Sequence, residues 1–130
     1  MNHMIRLIKS QDLKQEIFKY AKDNSIEAAI VSCCVGCVDE AKIRLANGET
    51  IIHLKEPFEI VSMTGTVSKN GCHIHISISD CDGKTIGGHL VDGCIVNTTA
   101  EICITELKEY TFTREYDEST GYAELKINHK

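Results

Sequence analysis

The chain has 130 residues, a formal net charge of −5 and 25% charged side chains. That length suits one domain with a single apolar core, and the 42% hydrophobic content excludes a disordered chain. No stretch of about 18 apolar residues occurs, which excludes a membrane-spanning helix. The 14 basic residues, set against 19 acidic ones, leave little for a nucleic-acid backbone, whose affinity needs clustered Lys and Arg.

In chain order, Ile5–Lys9 reads as a short edge strand. Ser10 or Asp12 can cap a helix in which Leu13, Ile17, Phe18 and Ala21 recur at helical spacing as far as about Lys22. Asp23-Asn24-Ser25 ends it. Ile26–Cys34 is a small-apolar strand expected to break at Gly36, with Ala41–Leu45 as the next strand. Asn47-Gly48 is a strong hairpin signal, returning through Thr50–Leu54. Pro57 marks the entry to a strand at Phe58–Val67, where Gly65 suggests a bulge or a close backbone approach.

Gly71–Leu90 carries the most chemistry. Cys72, Ile74, Ile76 and Ile78 alternate with His73, His75, Ser77 and Ser79, so the histidines share one strand face. Asp82-Gly83 turns the chain, and the returning arm passes Gly87-Gly88 to His89. Asp92-Gly93 makes another turn before a long strand, Ile95–Leu107. A polar tail follows, with Tyr110–Glu115, a turn at Asp117–Gly121 and Tyr122–Ile127 forming a hairpin or docked arm. One α+β domain, mostly antiparallel sheet with one main helix, is the expected outcome.

Residues two apart on a strand point the same way and stand roughly 6.6–6.8 Å apart, close enough for two imidazoles to swing onto one ion. His73 and His75 meet that requirement, and His89 would come from the neighbouring strand or from a second copy of the chain. Three neutral nitrogens suit zinc best, with iron, nickel or copper as alternatives, and leave a further coordination position for water or substrate. A His-x-His pair also occurs simply as the polar face of a half-buried strand, so both readings stand at this point. A cupin-like barrel would need a glutamate just after the pair, and Ile76–Asp80 contains none.

Glu59 and Glu101 sit on strands, where either could orient a metal ligand or accept a proton near metal-bound water, or simply be solvated. Cys34-x-x-Cys37 lacks the helix start of a redox motif, so packing is its reading. The seven cysteines, mostly inside apolar runs, read as reduced small hydrophobes. His53 reads as a surface strand residue, and His3 and His129 as terminal ones. Met-Asn-His-Met-Ile-Arg-Leu lacks the plan of a secretory leader, so a cytoplasmic location is expected.

Phe58-Glu59-Ile60-Val61-Ser62-Met63-Thr64-Gly65-Thr66-Val67, then Gly71-x-His73-x-His75, Asp82-Gly83, Gly87-Gly88-His89-Leu90 and Thr98-Thr99-Ala100-Glu101, resembles the plant and prokaryote conserved (PPC) domain, also called the PD1-like or DUF296 family. The helix after Asp12-Leu13, the strand at Ala28–Ser32 and Gly36-Cys37-Val38 follow the same order, so the resemblance spans nearly the whole of residues 1–130. It implies a single two-layer domain that assembles as a homotrimer. It also implies a metal site, with zinc favoured, at His73, His75 and His89. Three nitrogen ligands with an open position point to a metal-dependent enzyme acting on a small metabolite, while the resemblance implies a DNA-binding, transcription-regulatory or nucleoid-associated protein. In plant members a separate basic hook contacts the DNA, and this chain has no Arg-Gly-Arg segment of that kind.

Overall fold

One strand passes through nearly every part of the sheet: β2, Ala28–Arg44, seventeen residues long. The computed structural model describes residues Met1–Lys130. Along most of its length β2 lies between β7 (Ile95–Glu106) and β4 (Phe58–Ser68), antiparallel to both. Its last residues, Ile43 and Arg44, lie between β3 (Ile51–Leu54) and β6 (Thr85–Leu90). β1 (Asn2–Ile8) pairs with β7 at the edge, and β5 (Gly71–Ser79) pairs with both β4 and β6. Because β6 also pairs with β2, the pairings β2-β4-β5-β6-β2 close into a ring. The chain is thus α+β and mostly antiparallel, with one helix, as its sequence suggests.

The continuity of β2 departs from the sequence reading, which broke it at Gly36. The register instead shifts at Val31/Cys33, Gly36/Cys37 and Val38/Glu40 while the strand runs on. A Cβ at position 36 would lie 2.1 Å from the Thr99 carbonyl oxygen, so the glycine permits a close crossing of β7 and does not end the strand. Gly65 meets the same demand, with its Cβ position 2.3 Å from the His73 carbonyl oxygen.

The helix α1, Leu13–Asp23, starts where Asp12 rather than Ser10 caps it. Asp12 Oδ1 accepts from the Gln15 amide at 3.1 Å, and its Oδ2 accepts from the Gly93 amide at 2.7 Å. One carboxylate therefore ties the helix start to the Asp92-Gly93 turn. Leu13, Ile17 and Ala21 form the buried stripe of α1 and join a core that includes Ile43, Met63, Ile74, Ile78, Leu90, Ile102 and Ile104. Burial of side chains such as Leu13 and Ile17 contributes about 1.5–3 kcal/mol each. The tail forms a two-stranded unit, β8 (Tyr110–Asp117) with β9 (Tyr122–His129), anchored by buried Phe112, whose amide donates to the Glu27 carbonyl at 3.1 Å. No helix of the protein is long and apolar enough to cross a membrane.

All seven cysteines are free thiols. Burial pushes the Cys34 thiol up to about 12 and those of Cys72 and Cys94 up to about 11, so these are packing groups and not nucleophiles. Alkylation of the native protein is expected to label exposed Cys33 and Cys81, while buried Cys34 and Cys94 react only after unfolding. Mass mapping checks this. Rapid native labelling of Cys34 would contradict its packing role.

Candidate metal centre

On β5 the alternation anticipated from sequence is present. Ile74, Ile76 and Ile78 are buried, and His73 and His75 face outward. The turn after β5 is held by Asp80, whose Oδ1 accepts from the amides of Asp82 and Lys84 at 2.9 Å each. That turn sets the register in which His75 lies directly opposite His89. Cross-strand partners share a face, so His89 joins the two β5 histidines.

Ring centroids of His73 and His75 are 5.1 Å apart, those of His73 and His89 5.1 Å, and those of His75 and His89 5.7 Å. One nitrogen from each ring lies within 4.8 Å of the others. Tetrahedral bonds of about 2.0–2.1 Å place ligand nitrogens about 3.3 Å apart, so modest side-chain rotation would bring the trio to the spacing that one ion requires. Three imidazoles from one chain therefore converge, with no contribution needed from a second copy.

The backbone behind His89 is tightly constrained. A Cβ at Gly88 would lie 2.5 Å from the Arg44 carbonyl oxygen and 2.8 Å from Ile43 Cγ2, and one at Gly87 would lie 2.5 Å from the Ile76 carbonyl oxygen. The glycine pair thus serves strand-to-strand approach. It lets β6 fit between β5 and the end of β2, with Arg44 opposite His89.

His73 and His89 line a cavity of about 570 Å³ together with residues from three other places: Lys14 on α1, Arg44 on β2, and Arg114, Tyr122 and Glu124 on the tail hairpin. Arg114 is steadied by its Nη2, which donates to Thr66 Oγ1 at 3.4 Å, and Thr66 is the β4 partner of His73. Sequence reasoning missed these lining residues. Arg44 meets His89 through pairing between distant segments, and no local motif marks Arg114.

The surroundings of His73 and His89 disfavour their protonation. Partial burial, followed by the positive charges of Arg44, His73 and Lys14, lowers the His89 pKa to about 4. Partial burial and then Arg114 lower that of His73. Neutral imidazole is the form that ligates metal.

The structure does not bring Glu59 or Glu101 to the trio. Glu59 pairs with Ser79, four residues along β5 from His75, which is roughly 13 Å at 3.3 Å per residue. It lines a separate cavity beside Pro57 and Cys81. Glu101 lies on β7, three strands from β5 in the order β7-β2-β4-β5, or roughly 14 Å at 4.8 Å per strand. Its neighbours are Arg6 and Val35. Of the remaining histidines, His53 is a surface residue paired with Glu40, and His129 stacks near Tyr110 with ring centroids 4.5 Å apart. His3 is more than a terminal residue. Its Nδ1 bonds the Tyr20 hydroxyl at 3.0 Å and its Nε2 the Glu106 carboxylate at 2.8 Å, pinning β1 and β7 to α1.

The lowered His89 pKa has a defined consequence for stability. As pH falls below the ordinary value of 6.5, the unfolded chain takes up a proton at this residue before the folded protein does. The contribution of this one residue therefore lowers the stability of the metal-free protein as pH falls from about 6.5 to about 4. His89→Gln removes this contribution, so the variant should gain on the parent in thermal melts as pH falls through that window. A difference between the two that stays constant with pH would contradict it.

Comparison with known proteins places the chain. The model of the Plants and Prokaryotes Conserved (PCC) domain matches residues 1–108. Two curated relatives, each named bifunctional protein GlmU, from two Synechococcus strains, are 41% identical over 123 residues. That match takes in 95% of this chain, and the chain spans about a fifth of the length of those relatives. A solved hypothetical protein from Salmonella is 33% identical with a TM-score of 0.96, covering 100% of this chain and 94% of that one. A metal-containing protein from Archaeoglobus fulgidus is 30% identical with a TM-score of 0.82, over 95% of this chain and 91% of that one. A structure from Bacteroides thetaiotaomicron, described provisionally as a DNA-binding protein, is 21% identical with a TM-score of 0.85 over 96% of this chain and 91% of that one, and shares the fold alone. With the family model matched across residues 1–108, this chain belongs to the Plants and Prokaryotes Conserved domain family.

Proposed function

We propose that this protein binds a metal ion, zinc by preference, through His73, His75 and His89, and that it works as a homotrimer on a small molecule bound beside the ion. The observation that carries the reading is the convergence of three ring nitrogens within 4.8 Å, two of them, on His73 and His89, in rings whose surroundings disfavour protonation. A three-imidazole set is the donor chemistry of catalytic zinc, which keeps one position for water or substrate. When bound there, zinc would supply Lewis acidity and a lowered pKa for its water. The chain's own residues hold the ion, fix the rings by strand register, and wall the adjoining cavity. The metal-containing relative from Archaeoglobus supports the reading. Met4, Val35 and Val61, exposed apolar side chains on strands β1, β2 and β4, support assembly, since a second copy would cover them.

Protein purified without a nickel column is expected to carry close to one zinc per chain and to sediment as a trimer, with His75→Ala losing the metal. Less than about a third of an equivalent, unchanged in that variant, would sink the metal reading. A monomer at micromolar concentration would sink the trimer.

DNA binding, or a transcription-regulatory or nucleoid-associated role, stands as a second reading. It is supported by the fold shared with the Bacteroides structure and opposed by the net charge of −5. It predicts duplex binding that weakens steeply as salt rises. No binding even at low salt would remove it.

A further inference from the structure

We propose that the cavity beside the histidines binds a small anionic molecule by its carboxylate or phosphate group, held by Lys14, Arg44 and Arg114. This deepens the metal reading and rests on it for the placement of the anion next to His73 and His89.

Three cationic side chains reach one cavity from α1, β2 and β8. None of them takes part in an ion pair. The five pairs in the protein use His3, Lys19, His53, Lys126 and Lys130 as their cations. Only three of the 14 Lys and Arg side chains form ion pairs, so what marks Lys14, Arg44 and Arg114 is their convergence on one cavity. They gather around the same space with their charge uncompensated by contact. Asp92 and Glu124 also line the cavity, so its rim carries three positive and two negative groups before any metal is added. A divalent ion on the trio makes the balance strongly positive.

The fit is chemical as well as electrostatic. The planar guanidinium fork matches a carboxylate or a phosphate in two parallel hydrogen bonds, and Lys14 adds a point charge. Arg114 is already oriented by Thr66, and Arg44 is held by the pairing of its backbone with β6. A volume of about 570 Å³ exceeds what a bare ion needs and suits a metabolite, whose uncharged part can rest on Phe18 and Tyr122.

The test is calorimetric titration of the zinc-loaded protein with inorganic phosphate and with succinate, using succinamide as the uncharged match. At least one anion is expected to bind, and succinamide to bind about tenfold more weakly or not at all. Arg44→Gln and Arg114→Gln should each weaken the anion about tenfold or more while zinc content stays at the parent level. Arg44→Lys should recover part of the loss. Binding of phosphate alone, or of succinate alone, supports the site and names its headgroup. If zinc is bound but neither anion binds, or both glutamine variants bind as the parent does, the anion proposal is overturned and the metal reading stands. If the protein takes up no zinc, the metal reading fails, and the same titration of the metal-free protein decides. Anion binding lost in Arg44→Gln then supports the cationic cradle, and no binding overturns it.

Discussion

The close approach of β6 to the end of β2 is the constraint on which the rest depends. With Gly88 at that crossing, β6 pairs with β5 on one side and with Ile43 and Arg44 on the other. The first pairing sets His89 opposite His75, and the second sets Arg44 opposite His89. A side chain at position 88 would meet backbone atoms of Arg44, and backbone cannot rotate away as a side chain tip can. The same contact therefore closes the ring of strands, completes the histidine set and introduces a cation next to it. Fold and site share one piece of geometry.

Much of the site was legible because it is local. The alternation from Cys72 to Ser79, the turn at Asp82-Gly83 and the third histidine seven residues after Asp82 lie within twenty residues, so strand periodicity and turn chemistry suffice. What could not be read depends on pairings between distant segments. Gly36 has the same local signature as a strand break, and only the position of Thr99 shows it to be a crossing point. Arg44 becomes a neighbour of His89 through a pairing that spans 45 residues of chain, and no local pattern encodes that. Glu59 and Glu101 show the opposite failure. A carboxylate on a strand has the right chemistry, but register sets Glu59 opposite Ser79, along the strand from the trio, and strand order sets Glu101 on β7, three strands across from it.

Electrostatics and packing act together at the histidines. Partial burial disfavours imidazolium at His73 and His89, and the surrounding cations disfavour it further. The same cations would draw an anion inward. The charges that disfavour imidazolium at two of the rings would thus also favour an anion in the space beside them.

The tail hairpin supplies one wall of that space while contributing none of the histidines. It lies beyond residue 108, where the match to the family model ends, and it docks through Phe112 and a few polar bonds at Glu27 and Thr66. The part that would grip the metal and the part that shapes what lies against it are therefore separate pieces of chain. Substitutions in residues 110–129 can redraw the wall while the strand register that aligns the three rings stays intact. Such a division gives this architecture a route to new ligands by changing its hairpin alone.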